Sequence, residues 1–314
     1  MIKKIKKFVE NHSLLRRIAV KLKYQPVKIN RLSKEINHFF ENLPSSLELF
    51  KQKKKIETLI ISLTSFPVRL NFIEHTLFSL IKQTIRPERI ILWLSEEEFP
   101  NKENDIPENI KRYFLFDLEI KFVKENYKSY KKLTYAIQQY PENIIVTADD
   151  DVYYKSEWLS LLYNTYILFP LDIIAYKARK ISFKKRKIVP YLKWKTNASG
   201  ASHLNFGIGY GGILYPPHSL HKDICDSSLF LKLCPSTDDI WFYVMELLAK
   251  RKVRKASAFF SRICSFDYQF TEEYKKVPQL IYINWDNNSN NLQLEAALQH
   301  YNIFHNFFEI ATNG

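Results

Sequence analysis

From Thr58 onward the chain alternates short β-branched runs with amphipathic helical stretches, and few architectures accept that alternation. Strands linked through helices pair in parallel and carry the helices on the faces of the sheet. Residues 58–64 (TLIISLT) read as a buried strand. Residues 70–84 read as a helix with Ile73, Leu77, Leu80 and Ile81 on one face, and residues 89–94 (RIILWL) as a second strand. A third strand follows at 118–123, a helix at 130–139, and a fourth strand at 143–147 (NIIVT). The second half is less regular: a helix at 158–169, a strand at 171–176, a basic stretch at 177–187, a glycine cluster and a helix at 237–250. The expected fold is α/β, with a mostly parallel central sheet flanked by helices and no internal repeat.

The fourth strand runs directly into Asp149-Asp150-Asp151. Open α/β sheets bind ligands beyond the carboxyl ends of their strands, so the triplet sits where such a fold places its chemistry. Three adjacent carboxylates repel one another, and a cation offsets that charge. On an extended segment residues i and i+2 point to the same side, so Asp149 and Asp151 are expected to share one ion while Asp150 faces elsewhere. Oxygen ligands favour Mn²⁺ or Mg²⁺. Completed by a diphosphate, such an ion would stabilise the charge that develops on a departing nucleotide. A solvated acidic turn is the alternative reading.

The glycines mark a second place. The chain has 6, and Gly200, Gly207, Gly209, Gly211 and Gly212 account for five of them. A sequence that avoids glycine elsewhere needs it there for positive φ or for close approach of backbone to a ligand, unless the run is a tight hairpin without one. A P-loop is excluded because no Lys-Ser/Thr follows. Further on, Asp238 and Asp239 open the helix at 237–250. They serve either to meet the helix dipole and cap free amides, or to deprotonate an acceptor hydroxyl. His203, His218 and His221 flank the glycines, and Trp194, Tyr210, Tyr215 and Trp241 are placed either to stack on sugar rings or to fill the core.

TLIISLTSFPVRL, KKLTYAIQQYPENIIVTADDDVYY, GYGGILYPP and STDDIW together resemble a GT-A glycosyltransferase, similar to bacterial enzymes that build lipopolysaccharide and capsular glycans. The resemblance runs from residue 58 to about residue 250 and implies a Rossmann-like catalytic domain over 56–265. It leaves a basic helical extension at 1–55 and a segment at 266–314 packed on or extending that domain. What it implies for chemistry is a nucleotide-sugar donor and a glycan or lipid-linked glycan acceptor. Thr64 at the end of the first strand and Arg69 would lie near the nucleotide, and Lys131 or Lys132 on the helix before the metal strand would touch the donor. Asp149 and Asp150 would hold the donor, with Asp149 and Asp151 on the metal. Gly209, Gly211 and Gly212 would lie under the donor sugar and acceptor. Asp239 would be the base of an inverting transfer, with Asp238 orienting the acceptor. A histidine is a further metal ligand in some members. A sugar nucleotidyltransferase is the nearest alternative, disfavoured because SLTSFPVRL lacks the glycine-rich basic loop such enzymes carry after the first strand.

The net charge of +14 is unevenly placed. Residues 1–55 hold fifteen Lys or Arg against four Glu, a net of +11, which leaves +3 for the rest. Ile2, Ile5, Phe8 and Val9, continued by Leu14, Leu15, Ile18 and Leu22, form an apolar stripe among these cations. The stripe suits either an anionic membrane surface or packing on the body or another subunit, and a general Lys, Asn and Ile bias is the alternative source of the charge excess. The near-neutral body and the lack of a binding motif disfavour nucleic acid. No apolar run of spanning length and no secretory signal are present, so the expected location is cytoplasmic, with residues 1–55 able to hold the protein on the inner face of the membrane. Cys225, Cys234 and Cys264 have no zinc spacing and read as reduced thiols.

Overall fold

The computed structural model describes residues 27–256, 266 and 288–313. Two helices, α1 (Ile29–Glu41) and α2 (Leu43–Lys51), precede β1 (Lys55–Thr64). Then come α3 (Pro67–Leu70), α4 (Ile73–Ile81), β2 (Arg86–Ser95), β3 (Leu118–Val123), α5 (Lys131–Gln139), β4 (Ile144–Thr147) and α6 (Trp158–Leu168). The second half holds β5 (Ile173–Ala175), β6 (Ala178–Lys180), β7 (Phe183–Lys184), β8 (Lys187–Ile188), β9 (Ala201–Ser202), β10 (Asn205–Gly207) and β11 (Ile213–Tyr215). Helices α7 (Ser227–Leu233) and α8 (Asp238–Leu248), strand β12 (Val253–Lys255), α9 (Ser289–His300) and α10 (Phe307–Asn313) complete it.

The main sheet runs β3-β2-β1-β4-β11-β5-β12-β9. Its first four strands are parallel, β11 lies antiparallel between β4 and β5, and β12 returns parallel to β5. The expected α/β architecture, mostly parallel and flanked by helices, is therefore present. Strand alternation sends Leu59, Ile61 and Leu63 to one face and Ile60 to the other, and both faces are apolar because helices cover both. On the first face lie α1, α2, α4 and α6; on the second lie α5, α8 and α9.

Two expectations change. The helix expected over 70–84 is two helices: α3 ends at Leu70 and α4 begins at Ile73, with the Phe72 amide donating to the Arg69 carbonyl at 2.8 Å between them. Pro67 sits in the first turn of α3, where its missing N–H costs nothing, and this short helix carries Arg69 toward the end of β4. The strand expected over 171–176 shortens to Ile173–Ala175.

The described part of the basic extension packs on the body. Leu32, Ile36 and Phe50 are buried in the core of the first face, and Phe39 meets Phe78 edge-on at 5.3 Å. The stripe from Ile2 to Leu22 lies outside the described residues. At the other end α9 buries Leu294, Ala297 and Leu298 in the core of the second face, and Thr237 Oγ1 donates to Gln293 Oε1 at 2.6 Å. Among the described residues no helix is long and apolar enough to cross a membrane.

Candidate active site

Strand β4 ends at Thr147, and Asp150 and Asp151 occupy a turn. The period-of-two argument for the triplet therefore does not apply, because it needs extended backbone. The three carboxylates divide between two cations. Arg69 holds Asp150 at 2.6 Å and Asp151 at 3.1 Å. Lys132 holds Asp149 at 2.8 Å and Asp238 at 3.2 Å. Asp150 thus shares Arg69 with Asp151, is buried, and also accepts from Ser65 Oγ at 2.6 Å, while Thr76 Oγ1 donates to its carbonyl.

Lys132 is the hub of the site. It rises from the first turn of α5, is 5% exposed, and joins the end of β4 to the start of α8. Burial alone would lower its pKa, but Asp149, Asp238 and Asp239 together hold it well above the ordinary lysine range. It stays charged at any physiological pH. Its neighbour Lys131 pairs elsewhere, with Nζ 3.0 Å from Asn126 Oδ1 and 3.4 Å from Glu98 Oε2, and burial lowers its pKa against the pull of Glu98 and Asp150. Of the two lysines offered by the sequence, the structure joins Lys132 to the acidic groups.

Asp238 and Asp239 lie in the first turn of α8, whose N-cap residue Thr237 makes no side-chain capping bond. Asp238 goes to Lys132. Asp239 Oδ2 accepts the Gly209 amide at 3.0 Å. Burial first, and the adjacent Asp238 second, push Asp239 up to about 7, against the opposing pull of Lys132 and the Gly209 amide. A carboxyl with that pKa can take a proton near neutrality, which a general base must do.

The glycine cluster closes the site from the other side. Gly209, Gly211 and the intervening Tyr210 form a single 3-10 turn between β10 and β11. A Cβ on Gly209 would stand 2.4 Å from Asp239 Oδ1, so only glycine allows that approach. Gly212 has φ +85 and lies against the Trp158 ring, whose Nε1 donates to the Gly211 carbonyl at 2.9 Å. Gly211 backs onto the Lys177 main chain. Tyr154 pins this turn to the triplet: its hydroxyl accepts the Asp149 amide at 2.8 Å and donates to the Tyr210 carbonyl at 3.3 Å. Triplet, glycines and the Asp238-Asp239 pair thus form one connected cluster.

Other sequence candidates go elsewhere. Thr64 Oγ1 donates to the Trp93 carbonyl at 2.8 Å and ties β1 to β2. His218 pairs with Glu142 on the surface, His221 Nδ1 accepts from the Asp223 amide, and His203 is buried with its pKa lowered by that burial. Trp194, Tyr215 and Trp241 are core residues, whereas Tyr210 is 38% exposed beside the site. Ser65, Tyr154 and Trp158 were not singled out from sequence. Ser65 and Tyr154 lie within the quoted motifs, but no spacing rule marks a hydroxyl that serves a neighbouring carboxylate or amide.

Among the described residues no group of three or more His, Cys, Asp and Glu gathers as a metal cage. A hard cation that keeps one or two carboxylates and takes its remaining ligands from a diphosphate is a different demand. Asp149 and Asp151 would be the residues to meet it: their side chains are 27% and 20% exposed, and Lys132 reaches Asp149 through Oδ1.

No protein-family model matches the chain, and no curated protein matches its sequence. Among solved structures it is similar to residues 1–349 of S. aureus TarS in complex with UDP, at 14% identity, over 80% of this chain and 72% of that one, with a TM-score of 0.46. Against S. aureus TarS as a whole the identity is 14%, the coverage 74% of this chain and 39% of that chain, and the TM-score 0.39. CMP:2-keto-3-deoxy-manno-octonic acid synthetase complexed with CTP gives 10% identity, 65% and 89% coverage and a TM-score of 0.38. Likenesses of this order carry no argument about chemistry, which rests on the residues of this chain.

Proposed function

We propose that this chain is a glycosyltransferase that moves a sugar from a nucleotide-sugar donor to a hydroxyl of a glycan or lipid-linked glycan, with inversion. The observation that carries the reading is Lys132, which draws Asp149, at the end of β4, into one ion-pair cluster with Asp238 at the start of α8. Donor-side and acceptor-side carboxylates are then neighbours, as a single displacement at an anomeric carbon needs. In that displacement the acceptor hydroxyl gives its proton to Asp239, its oxygen bonds the anomeric carbon, and the bond to the nucleoside diphosphate breaks. Asp238, fixed by Lys132, orients the acceptor. Lys132 itself faces developing negative charge with a cation held in a dry setting. Arg69, through Asp150 and Asp151, shapes the turn that meets the diphosphate. Mn²⁺ or Mg²⁺ held by Asp149 and Asp151 would supply Lewis-acid stabilisation of the leaving group. Residues 1–26 add a basic, apolar-striped segment suited to the anionic inner face of a cytoplasmic membrane.

A screen of nucleotide sugars with Mn²⁺, scored for nucleoside diphosphate release without acceptor, tests this. Release from one donor class supports the transferase. Pyrophosphate-dependent exchange would instead make the chain a sugar nucleotidyltransferase, and inertness toward every donor would remove the proposal.

A further inference from the structure

The segment from Lys177 to Lys195 holds nine Lys or Arg and no acidic residue, and no acid occurs anywhere between Asp172 and Asp223. Subtracting this +9 and the +11 of residues 1–55 from the total of +14 leaves −6 on everything else, so the near-neutral body is in fact segregated. Lys180, Lys184, Lys185, Arg186, Lys187 and Lys193 are all exposed. Among the described residues the one carboxylate paired with any of these six is Glu309, on Arg186.

The strip begins at the active site. Strand β6 pairs antiparallel with β10, Arg179 opposite Phe206 and Ala178 opposite Gly207, and the Ile208 amide donates to the Lys177 carbonyl at 3.0 Å. The next residue is Gly209, which holds Asp239. Lys177 stands immediately before β6 and Arg179 within it, to either side of the buried Ala178. Lys177 Nζ donates to the Tyr210 hydroxyl at 3.0 Å, and the Arg179 guanidinium lies 4.9 Å from the centre of the Tyr191 ring. From there the chain leads into the β7–β8 hairpin, whose tip is Lys185 (φ 51) and Arg186 (φ 62). A two-residue turn with both φ positive normally takes Asn-Gly, because a Cβ is disfavoured there. Four consecutive cations on such a tip also repel one another. Strain and like charge kept together at an exposed position point to a partner outside the chain.

We propose that the strip from Lys177 to Lys195 binds an acceptor glycan bearing anionic groups, phosphate or carboxylate, and thereby presents its hydroxyl to Asp239. This rests on the transferase reading above and names its acceptor class.

The test uses full-length protein and fluorescently labelled probes in polarisation binding at low ionic strength: hexagalacturonate for carboxylate, an inorganic polyphosphate of about ten units for phosphate, and neutral maltohexaose. At least one anionic probe is expected to bind and maltohexaose is not, with binding lost as salt rises and the Debye length shrinks from about 14 to about 6 Å. K184Q/K185Q/K187Q is expected to weaken binding about tenfold or more. K185N/R186G gives the hairpin its favoured turn residues and is expected to weaken binding too, with its thermal midpoint as the check on folding. Equal binding of maltohexaose, or anionic binding untouched by both variants, overturns the proposal. So does loss of phosphatidylglycerol-vesicle binding in these variants when no soluble anionic probe binds, which would make the strip a membrane contact. Donor hydrolysis by the wild type reads the active site separately: hydrolysis without anionic binding removes this proposal alone, and binding without hydrolysis removes the transferase reading.

Discussion

The amide of Gly209 donates to Asp239 Oδ2 over 3.0 Å, and a Cβ at Gly209 would stand 2.4 Å from Oδ1 of the same carboxylate. Gly209→Ala therefore moves the carboxylate or the turn, and a misplacement on the order of 1 Å costs about 10²-fold in turnover. Losing the amide bond also removes a contact that lowers the Asp239 pKa, so the acidic limb of the pH–rate profile should move toward higher pH. Steady-state kinetics across pH read both effects. Unchanged turnover with an unchanged limb would mean that Asp239 is not the base.

The same pKa sets the wild-type profile. Asp239 acts as a base only when ionised, and burial holds it up to about 7. Turnover should rise tenfold per pH unit below that value and level off above it. Asp239→Asn should lose this limb along with about 10²–10⁴-fold of the rate. A profile flat from pH 5 to 8 would assign the proton transfer elsewhere.

Glu246 gives a stability prediction independent of catalysis. It is 2% exposed, and burial followed by the charge of Asp239 pushes its pKa up from 4.5 to about 8. Between those values the folded chain keeps a proton that the unfolded chain has lost, so stability falls as pH rises through the window and is level beyond it. Glu246→Gln, neutral at every pH, should flatten that slope and raise the midpoint at pH 8.5, by roughly 2–4 °C for each kcal/mol recovered. Thermal melts at pH 5 and 8.5 check it. Parallel slopes for the two proteins would show that Glu246 is ionised in the fold.

How much of this the sequence carries follows from which forces are local. Periodicity places β1 to β4 and their helices to within a few residues, because apolar runs on both faces of a parallel sheet leave little choice. The three acidic and glycine-rich motifs were legible as separate features. Their union was not, because it runs through Lys132, one of two adjacent lysines that no local pattern distinguishes. The break between α3 and α4 was hidden because apolar periodicity continues across Asn71 and Phe72 while the turn is set by where Arg69 must reach. The left-handed tip at Lys185 and Arg186 was hidden for the opposite reason: its residues argue against the turn they form.

Lys132 is the residue whose loss should be felt most widely. Lys132→Met leaves Asp149 and Asp238 without their shared cation and deprives Asp239 of a charge that lowers its pKa. Removing one partner of a buried ion pair costs roughly 3–5 kcal/mol, so denaturant midpoints should drop sharply. Lys132→Arg keeps the charge and separates the effects: it should fold better than the methionine variant. Where Lys132→Met folds, the acidic limb of its pH–rate profile should lie above that of wild type. An unmoved limb in a folded variant would disconnect Lys132 from the base.

The metal is best tested against the charge balance the chain already has. Arg69 spans Asp150 and Asp151, and Lys132 spans Asp149 and Asp238, so the repulsion within the triplet is offset before any ion binds. On the transferase reading proposed above, a cation would serve the leaving diphosphate and would not be needed for folding. Chelation should therefore abolish donor hydrolysis while leaving the thermal midpoint unchanged, and Mn²⁺ or Mg²⁺ should restore activity. Asp149→Asn and Asp151→Asn should each raise the Mn²⁺ concentration needed, whereas Asp150→Asn, at a buried position held by Ser65 and Arg69, should lower stability instead. If hydrolysis survives exhaustive chelation, Lys132 and Arg69 meet the leaving group unaided. If chelation lowers the midpoint, the ion belongs to the fold, and the division of the triplet between two protein cations is incomplete.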